Sequence, residues 1–314
     1  MENFLFSLNI VAPVFFMMVI GAFLAKIGLF TDDFRSRVTT FVFYIALPAS
    51  MIRQVAESDL VSDFHPRFVL FLILSTIAVF AFGWWFSALA IRDRSQVSAT
   101  AHGCFRGNFA YVGLPIIAML TGKESVPPAV MVVTFVLPLY SVLAVIVLSH
   151  YSGQSSEHAL KKQVIAILKN PLIIGVLIGL PFSLLRFPIP QPVDTTLAYL
   201  GRTASPLGLL LIGSSLKRES LLRKWKGIAA ATFVKVVLSP ILCTAAALAL
   251  GFAGDKLAVI YVCHAVPAAV NSYVMTEQMG GDREIGAGIV MVTALVSVVT
   301  MAAGIFILRQ SGIL

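Results

Sequence analysis

Two apolar stretches of the chain contain polar and helix-breaking residues at places where an ordinary membrane helix would be continuous. These residues are Gly107, Asn108, Gly113 and Pro115 in the stretch 101–121, and Pro267, Asn271 and Ser272 in the stretch 257–278. A helix that breaks inside lipid exposes backbone N–H and C=O groups, which need partners from protein or from a water-filled cavity. Matched interruptions in two halves of a chain therefore predict a solute-binding site near mid-membrane.

The side chains at these interruptions could bind a polar solute. Asn108 and Asn271 each offer a donor and an acceptor, and hydroxyl groups are close by in sequence. Free helix N-termini suit an anion, whereas free C-termini suit a cation. The alternative is that these polar groups only cap the helix breaks and bind nothing. The residues predicted to contact the solute are Arg106, Asn108, Tyr111, Gly113, Pro115, Pro267, Asn271 and Ser272.

Basic side chains dominate the charge inside the predicted spans, since no Asp or Glu lies near a span centre. Arg106 lies two residues from Asn108 and is a candidate for binding an anionic substrate. Arg202 is expected to extend its guanidinium to the membrane interface or to a carbonyl, and Lys235 is a further candidate for the anion.

Two histidines flank the interruptions and could couple transport to protons. His102 and His264 titrate near neutral pH in water, so either could act as a switch, although a buried neutral histidine is the common alternative. Carriers driven by cations often use an intramembrane carboxylate, which is missing here. A cation/proton antiporter of similar architecture is therefore the weaker alternative function.

The composition identifies a polytopic membrane protein. Of 314 residues, 58% are hydrophobic and only 12% are charged, and the mean hydropathy is +0.92. The net charge of +8 arises mainly in short loops and does not indicate a nucleic-acid partner. The apolar run 4–24 follows Glu2 and is long enough to span, so we expect a retained helix rather than a cleaved signal. The three cysteines are expected to be reduced and packed.

Ten membrane spans are expected, separated by short polar segments. Most loop lysines and arginines fall on one set of alternate loops, which predicts an inner-membrane protein with that set in the cytoplasm and both termini outside. The predicted spans are 4–25, 37–55, 67–91, 98–121, 126–149, 169–186, 195–216, 227–251, 256–279 and 284–308.

An internal repeat divides the chain into two halves. Pro13 and Pro171 are 158 residues apart, as are Pro48 and Pro206, and the same offset superposes the two interrupted stretches. The segment MVVT ending at Thr134 also has a counterpart, VMVT, ending at Thr293. Five spans per half is an odd number, so the halves have opposite orientations. Unrelated proline kinks are the alternative explanation.

The domain boundaries follow from this repeat. We predict a first five-helix repeat over 1–150, a cytoplasmic linker over 151–168 and a second five-helix repeat over 169–314. The predicted fold is therefore an all-α integral membrane protein with broken fourth and ninth helices.

Signatures of enzymes are missing from the sequence. There is no Gly-x-Ser-x-Gly turn, no phosphate-binding loop and no Cys/His spacing for a metal, so neither a cofactor nor a metal is predicted. An intramembrane enzyme would need a pair such as Ser272 and His264 within hydrogen-bond reach.

Four motifs in order resemble those of the auxin efflux carrier family. They are YIALP ending at Pro48, NFAYVGLP at 108–115 continuing to Gly122, LKNP ending at Pro171 and leading to Gly175 and Gly179, and Val266-Pro267 running through Asn271 to Glu277 and Asp282. The family includes bacterial transporters of malate- or malonate-like acids and the plant PIN-type carriers, and the similarity covers nearly the whole chain.

This resemblance implies a transporter in which two inverted five-helix repeats cross at Pro115 and Pro267, with Asn108 at the substrate. Spans 1, 2, 6 and 7 would form a scaffold that makes a homodimer, and spans 3–5 and 8–10 a moving transport domain. The implied activity is elevator-type alternating access for small organic anions within membrane lipid. The chain lacks the long central hydrophilic loop of the plant members and the intramembrane acid proposed to titrate in some of them.

Overall fold

The fold is entirely helical over the part of the chain that the structure describes. The structure is a computed structural model, and it describes residue 13 and residues 16–57, 65–122, 126–151, 169–215 and 218–313. No strand occurs in these ranges, which confirms the predicted all-α class. The predicted linker, apart from its first residue, and most of the first half of the first predicted span lie outside the described residues.

Thirteen helices are found in the described ranges, and some contain a short π-helical segment. Five of them, α2, α3, α6, α10 and α13, are long and apolar enough to cross a membrane. The helices are α1 (Phe16–Lys26), α2 (Asp32–Ala56), α3 (Pro66–Ala90), α4 (Arg94–Phe105), α5 (Phe109–Thr121), α6 (Pro127–Tyr151), α7 (Pro171–Leu184), α8 (Gln191–Ser215), α9 (Arg218–Arg223), α10 (Trp225–Ala249), α11 (Gly254–Ala265), α12 (Val270–Gln278) and α13 (Arg283–Gln310).

The helix boundaries agree with the predicted interruptions. Helical segments lie at each of the ten predicted span positions, and the fourth and ninth predicted spans are each divided into two helices. These are α4 and α5 in the first half, and α11 and α12 in the second. The inverted relation of the two halves stays a prediction.

Proline explains a local feature that recurs in four helices. A five-residue π-helical segment ends two residues before Pro48 in α2, Pro115 in α5, Pro138 in α6 and Pro240 in α10. A proline ring collides with the carbonyl four residues earlier in a regular α-helix, and a widened turn moves that carbonyl aside. Pro206, the predicted repeat partner of Pro48, lies inside α8 with no such segment, so this local geometry is not repeated between the two halves.

Glycines allow α7 to approach the backbone of α2. A Cβ atom on Gly175 would lie 2.9 Å from the Pro48 carbonyl oxygen, and one on Gly179 would lie 2.7 Å from that of Ile52. Small residues at this four-residue spacing let membrane helices pack closely. Gly201 on α8 faces Ser50 of α2 in the same way, so α2, α7 and α8 form one tightly packed group.

The interrupted helices α4 and α11 lie at the centre of the protein. Every residue from Val97 to Phe105 and from Leu257 to Ala265 is buried. Many side chains of α1 and α3, by contrast, are exposed at the surface that lipid would cover.

Capping aspartates tie α4 to α13 outside the apolar region. Asp93 caps α4, and a hydrogen bond from the Ser95 hydroxyl lowers the pKa of its carboxyl group. Asp282 caps α13 and donates its backbone N–H to the Ser95 carbonyl. Burial alone would lower the pKa of Lys224, but its hydrogen bonds to Asp282 and Glu284 outweigh that effect and leave the pKa raised. The backbone bond from Asp282 therefore holds the start of α4 against α13, and the ion pairs of Lys224 join the start of α10 to the same end of α13.

We predict that Gly179→Val destabilises the protein because a larger side chain would collide with the Ile52 carbonyl and the Val55 side chain. The expected loss is about 1–3 kcal/mol, typical of overpacking. Thermal unfolding in detergent measures this loss of stability. The control is Leu177→Phe, which enlarges a side chain on the exposed face of α7 and should leave the melting temperature unchanged. Equal melting temperatures for Gly179→Val and wild type would contradict the close α2–α7 contact.

Candidate functional site

The two interrupted segments meet through their backbones. Gly107 and Ala268 form an isolated antiparallel bridge. The Asn108 N–H donates to the Pro267 carbonyl at 2.8 Å, and the Ala269 N–H donates to the Arg106 carbonyl at 3.1 Å. Peptide groups released by one break are therefore satisfied by peptide groups released by the other, as the burial of the site requires.

Local sequence explains why α11 ends at the bridge. Pro267 has no N–H to donate to the Cys263 carbonyl, so the helix loses a hydrogen bond there. The Ala268 N–H turns away and donates to Thr293 Oγ1 on α13 at 3.0 Å. In the opposite segment, a Cβ on Gly107 would lie 2.8 Å from Val266 Cγ2, so a larger residue at this position would push the two segments apart.

Four helix ends converge on this bridge. The C-termini of α4 and α11 and the N-termini of α5 and α12 all lie within a few residues of it. The C-terminal ends carry partial negative charge and the N-terminal ends partial positive charge. The ammonium group of Lys235 donates to the His264 carbonyl at 2.7 Å, next to the end of α11.

A small cavity of about 30 Å³ adjoins the bridge. It brings together four predicted site residues, Arg106, Asn108, Tyr111 and Asn271, and adds the phenol of Tyr140. None of its lining residues within the described part of the chain is acidic. The volume suits about one water molecule or one end of a larger polar solute.

Arg106 is buried without a counter-charge. Its residue is only 4% exposed, and its Nη1 lies 3.0 Å from the sulfur of Met275. Among the residues that the structure describes, no carboxylate pairs with it. A buried guanidinium that lacks a partner is costly, and a bidentate anion is its best complement.

A larger cavity of about 410 Å³ continues from the small one, since Gln54, Ala110 and Tyr111 line both. Arg202 lines this larger cavity too, and it has no hydrogen bond or ion pair in the described ranges. No carbonyl among the described residues binds the Arg202 guanidinium, and the other expectation, that it extends to the membrane interface, stays a prediction. Nearby Arg53 is engaged with Asp194 at 2.8 Å.

The remaining predicted residues act on the backbone instead of lining either cavity. Pro267 accepts the bridge hydrogen bond, and the Ser272 hydroxyl donates to the Ala269 carbonyl at 2.5 Å, within the first turn of α12. Gly113 lies against the Phe109 ring, with Pro115 two residues later in α5. No side chain among the described residues caps the start of α5 or of α12, so the capping alternative gains no support from these positions.

The two histidines have different surroundings. Both ring nitrogens of His264 have partners, Ser239 at 3.0 Å and Ser75 at 3.1 Å. His102 Nδ1 contacts Thr276 Oγ1 at 3.1 Å, whereas its buried Nε2 has no partner within the described residues. Ser272 is bonded to its own turn, so the Ser272–His264 pair considered for an enzyme does not form.

Sequence reasoning missed several residues that build the site. Thr293 supports the bridge, Tyr140 and Gln54 line cavities, and Met275 contacts the guanidinium. A signal existed for Thr293, because it ends the repeated segment VMVT. Its repeat counterpart Thr134 is buried, but its Oγ1 has no partner within the described residues, so the repeat did not predict the contact itself.

Comparison with known proteins points to transport. Residues 6–305 match the profile of the family described as "Membrane transport protein". The chain is 26% identical over 311 residues to a protein of Rhizobium meliloti named "Putative malonate transporter", covering 97% of each. It is also 21% identical to an "Uncharacterized transporter" of Methanothermobacter thermautotrophicus, covering 95% of this chain and 97% of that protein. "Uncharacterized transporter YfdV" of Escherichia coli is 19% identical, with 97% and 98% covered.

We predict that Thr293→Val destabilises the site because the Ala268 N–H would lose its buried acceptor. The expected cost is about 1–3 kcal/mol in unfolding free energy. Thr300→Val is the matched control on the same helix, since the Thr300 hydroxyl bonds only to its own helix. Thermal unfolding compares the two variants, and an equal effect of both would remove Thr293 from the support of the bridge.

Proposed function

Since the chain belongs to the membrane transport protein family, which includes the auxin efflux carriers, we propose that it is a secondary transporter of small organic anions. The substrates would be carboxylates of the malonate class, moved across the cytoplasmic membrane. The observation that carries this proposal is the buried guanidinium of Arg106, which pairs with no carboxylate among the described residues and lies beside Asn108 and Asn271 at the bridged interruptions.

The chemistry of the two cavities supports an anionic substrate. One carboxylate would occupy the small cavity, accept hydrogen bonds from Arg106 and the asparagine amides, and displace water there. The rest of the molecule would lie in the larger cavity, whose volume is in the range of small-molecule sites. Tyr111 and Gln54, which line both spaces, would contact the middle of the substrate.

The proposed architecture is two inverted five-helix repeats whose broken helices cross at Pro115 and Pro267. In this proposal α1, α2, α7 and α8 form a scaffold, and α3–α6 and α10–α13 form the moving unit. The close glycine contacts of α2 with α7 and α8 support a rigid scaffold. Elevator-type movement would carry the bridged site across the membrane as one body.

The described conformation would be open to the outside. With the predicted orientation, the larger cavity lies near the extracytoplasmic ends of α2, α5 and α8. At the opposite ends, contacts between the scaffold and the moving unit close the path. They are Thr39 to Glu277 at 3.1 Å, Gln278 to Thr40 at 3.2 Å, and Arg283 to Asp32 at 3.5 Å.

Two further parts of the proposal concern assembly and coupling. A homodimer would use exposed apolar side chains of the scaffold, such as Phe16, Ile20 and Phe23. Proton coupling would use His102 in preference to His264, because His102 Nε2 is free to accept a proton while the His264 ring is fully engaged.

We predict that purified protein in proteoliposomes takes up radiolabelled malonate and that Arg106→Gln raises the KM about tenfold or more, because a charge-assisted bond is lost. Asn108→Ala and Asn271→Ala should also weaken uptake, and Pro267→Ala should slow it. Arg309→Gln is the matched control, because Arg309 is exposed and lines neither cavity.

The outcome that contradicts this proposal is clear for each part. No uptake of any small mono- or dicarboxylate by wild type would reject the substrate class. A wild-type KM in Arg106→Gln would reject the proposal that the Arg106 guanidinium binds the substrate carboxylate. Full transport by both Asn108→Ala and Pro267→Ala would remove these two side chains from the mechanism.

Elevator movement predicts that a disulfide between Thr40→Cys and Gln278→Cys stops transport, because it joins the scaffold to the moving unit. The experiment uses a background in which the three native cysteines are replaced by alanine, and a reductant should restore uptake. The control pair, Thr100→Cys with Gly227→Cys, joins α4 to α10 inside the moving unit and should leave uptake intact. Continued transport with Thr40 and Gln278 fully cross-linked would exclude this movement.

A further inference from the structure

Lys235 is a buried cation that the proposed substrate contacts leave unused. It lies in the π-helical segment Val234–Leu238 of α10, and the residue is 1% exposed. Its Nζ donates to the His264 carbonyl at 2.7 Å, and it forms no ion pair with any described residue. Burying an ammonium group without a carboxylate is costly, so its retention next to the site calls for a specific role.

The lysine binds a carbonyl that the helix itself leaves free. The regular donor to the His264 carbonyl would be the N–H of Ala268, four residues on, but that N–H donates to Thr293. The neighbouring Cys263 carbonyl also lacks its regular donor, since Pro267 has no N–H. The end of α11 therefore presents unpaired carbonyl oxygens and the negative end of a helix dipole to Lys235.

The groups around the ammonium provide no counter-anion. The charges and dipoles that face Lys235 come from the thiols of Cys104, Cys243 and Cys263, and from His264, whose ring is held by two serines. Thiols buried in apolar surroundings carry no charge. The helix end is thus the principal electrostatic partner of the lysine.

The ammonium also lies directly beside the bridge. A Cβ placed on Gly107 would be 3.2 Å from Lys235 Nζ and 3.2 Å from the Cys263 carbonyl oxygen. Glycine at this position leaves room for the lysine between α10 and the end of α11. The positive charge of Lys235 is therefore held against the bridged segments and is shielded from solvent.

In carriers built from inverted repeats, half-helix C-termini and unwound carbonyls bind the coupling sodium ion or proton. We infer that the Lys235 ammonium is a resident cation that takes the place of a coupling sodium ion at the end of α11. This inference rests on the proposed function. It implies that anion transport requires no sodium at this position and that the lysine balances part of the negative charge of the substrate and helix ends.

The test compares wild type with Lys235→Ala in proteoliposomes, in sodium and in choline medium of equal ionic strength. Wild-type uptake of malonate should be the same in both media. Lys235→Ala should lose about tenfold or more of the uptake rate, because its helix end is left without a cation. Propylammonium chloride, which restores an ammonium group in the space left, should recover part of the rate, whereas propan-1-ol should not.

Melting temperatures test the role of Lys235 without any assumption about the substrate. Purified Lys235→Ala should melt below wild type, and propylammonium should raise its melting temperature while propan-1-ol does not. Lys226→Ala, an exposed position on the same helix, should behave as wild type in both assays. Sodium should not raise the melting temperature of wild type relative to choline, and this arm needs no variant to fold.

Three results would overturn the inference. They are a wild-type requirement for sodium in uptake or stability, full activity and stability of Lys235→Ala, and equal rescue by propylammonium and propan-1-ol. Absence of carboxylate uptake by wild type, together with specific propylammonium stabilisation of Lys235→Ala, would instead reject the proposed function and keep the resident cation.

Discussion

The structure depends on the pairing of peptide groups where two helices break inside an apolar interior. Lipid and apolar side chains offer no partner to a free N–H or C=O, so each break needs a partner from elsewhere in the protein. The two breaks satisfy one another through the Asn108–Pro267 and Ala269–Arg106 hydrogen bonds. Thr293 and Lys235 complete the pairing from α13 and α10. Each break is therefore stabilised by hydrogen bonds to the other.

The buried positive charges also need partners within the apolar interior. Arg106 and Lys235 are both buried beside the bridge, and neither has a carboxylate partner in the described part of the chain. Lys235 is stabilised by a helix end and a free carbonyl, whereas Arg106 contacts a thioether and faces a cavity. One cation is thus matched from within the protein, and the other faces a cavity. This difference is the physical basis of the proposal that the site binds an anion.

Much of the fold could be predicted from the sequence because its determinants are local. Hydropathy identifies helical segments at every predicted span, and the proline and glycine positions locate both breaks to within a few residues. The site could be predicted only in part. Arg106, Asn108 and Asn271 do come together, but Ser272 bonds to its own turn and Arg202 lies at the larger cavity. Position along a helix specifies depth, but it does not specify which neighbour a side chain faces.

The sequence alone determined that this is a membrane protein with two interrupted helices and a basic interior, because lipid, proline and charge impose those features residue by residue. Only the tertiary structure decided that the interruptions bond to each other, that Thr293 accepts the Ala268 N–H, and that Lys235 binds the end of α11. The physical reason is that hydrogen bonds across helices depend on the rotation and separation of elements far apart in the chain, which no local pattern encodes.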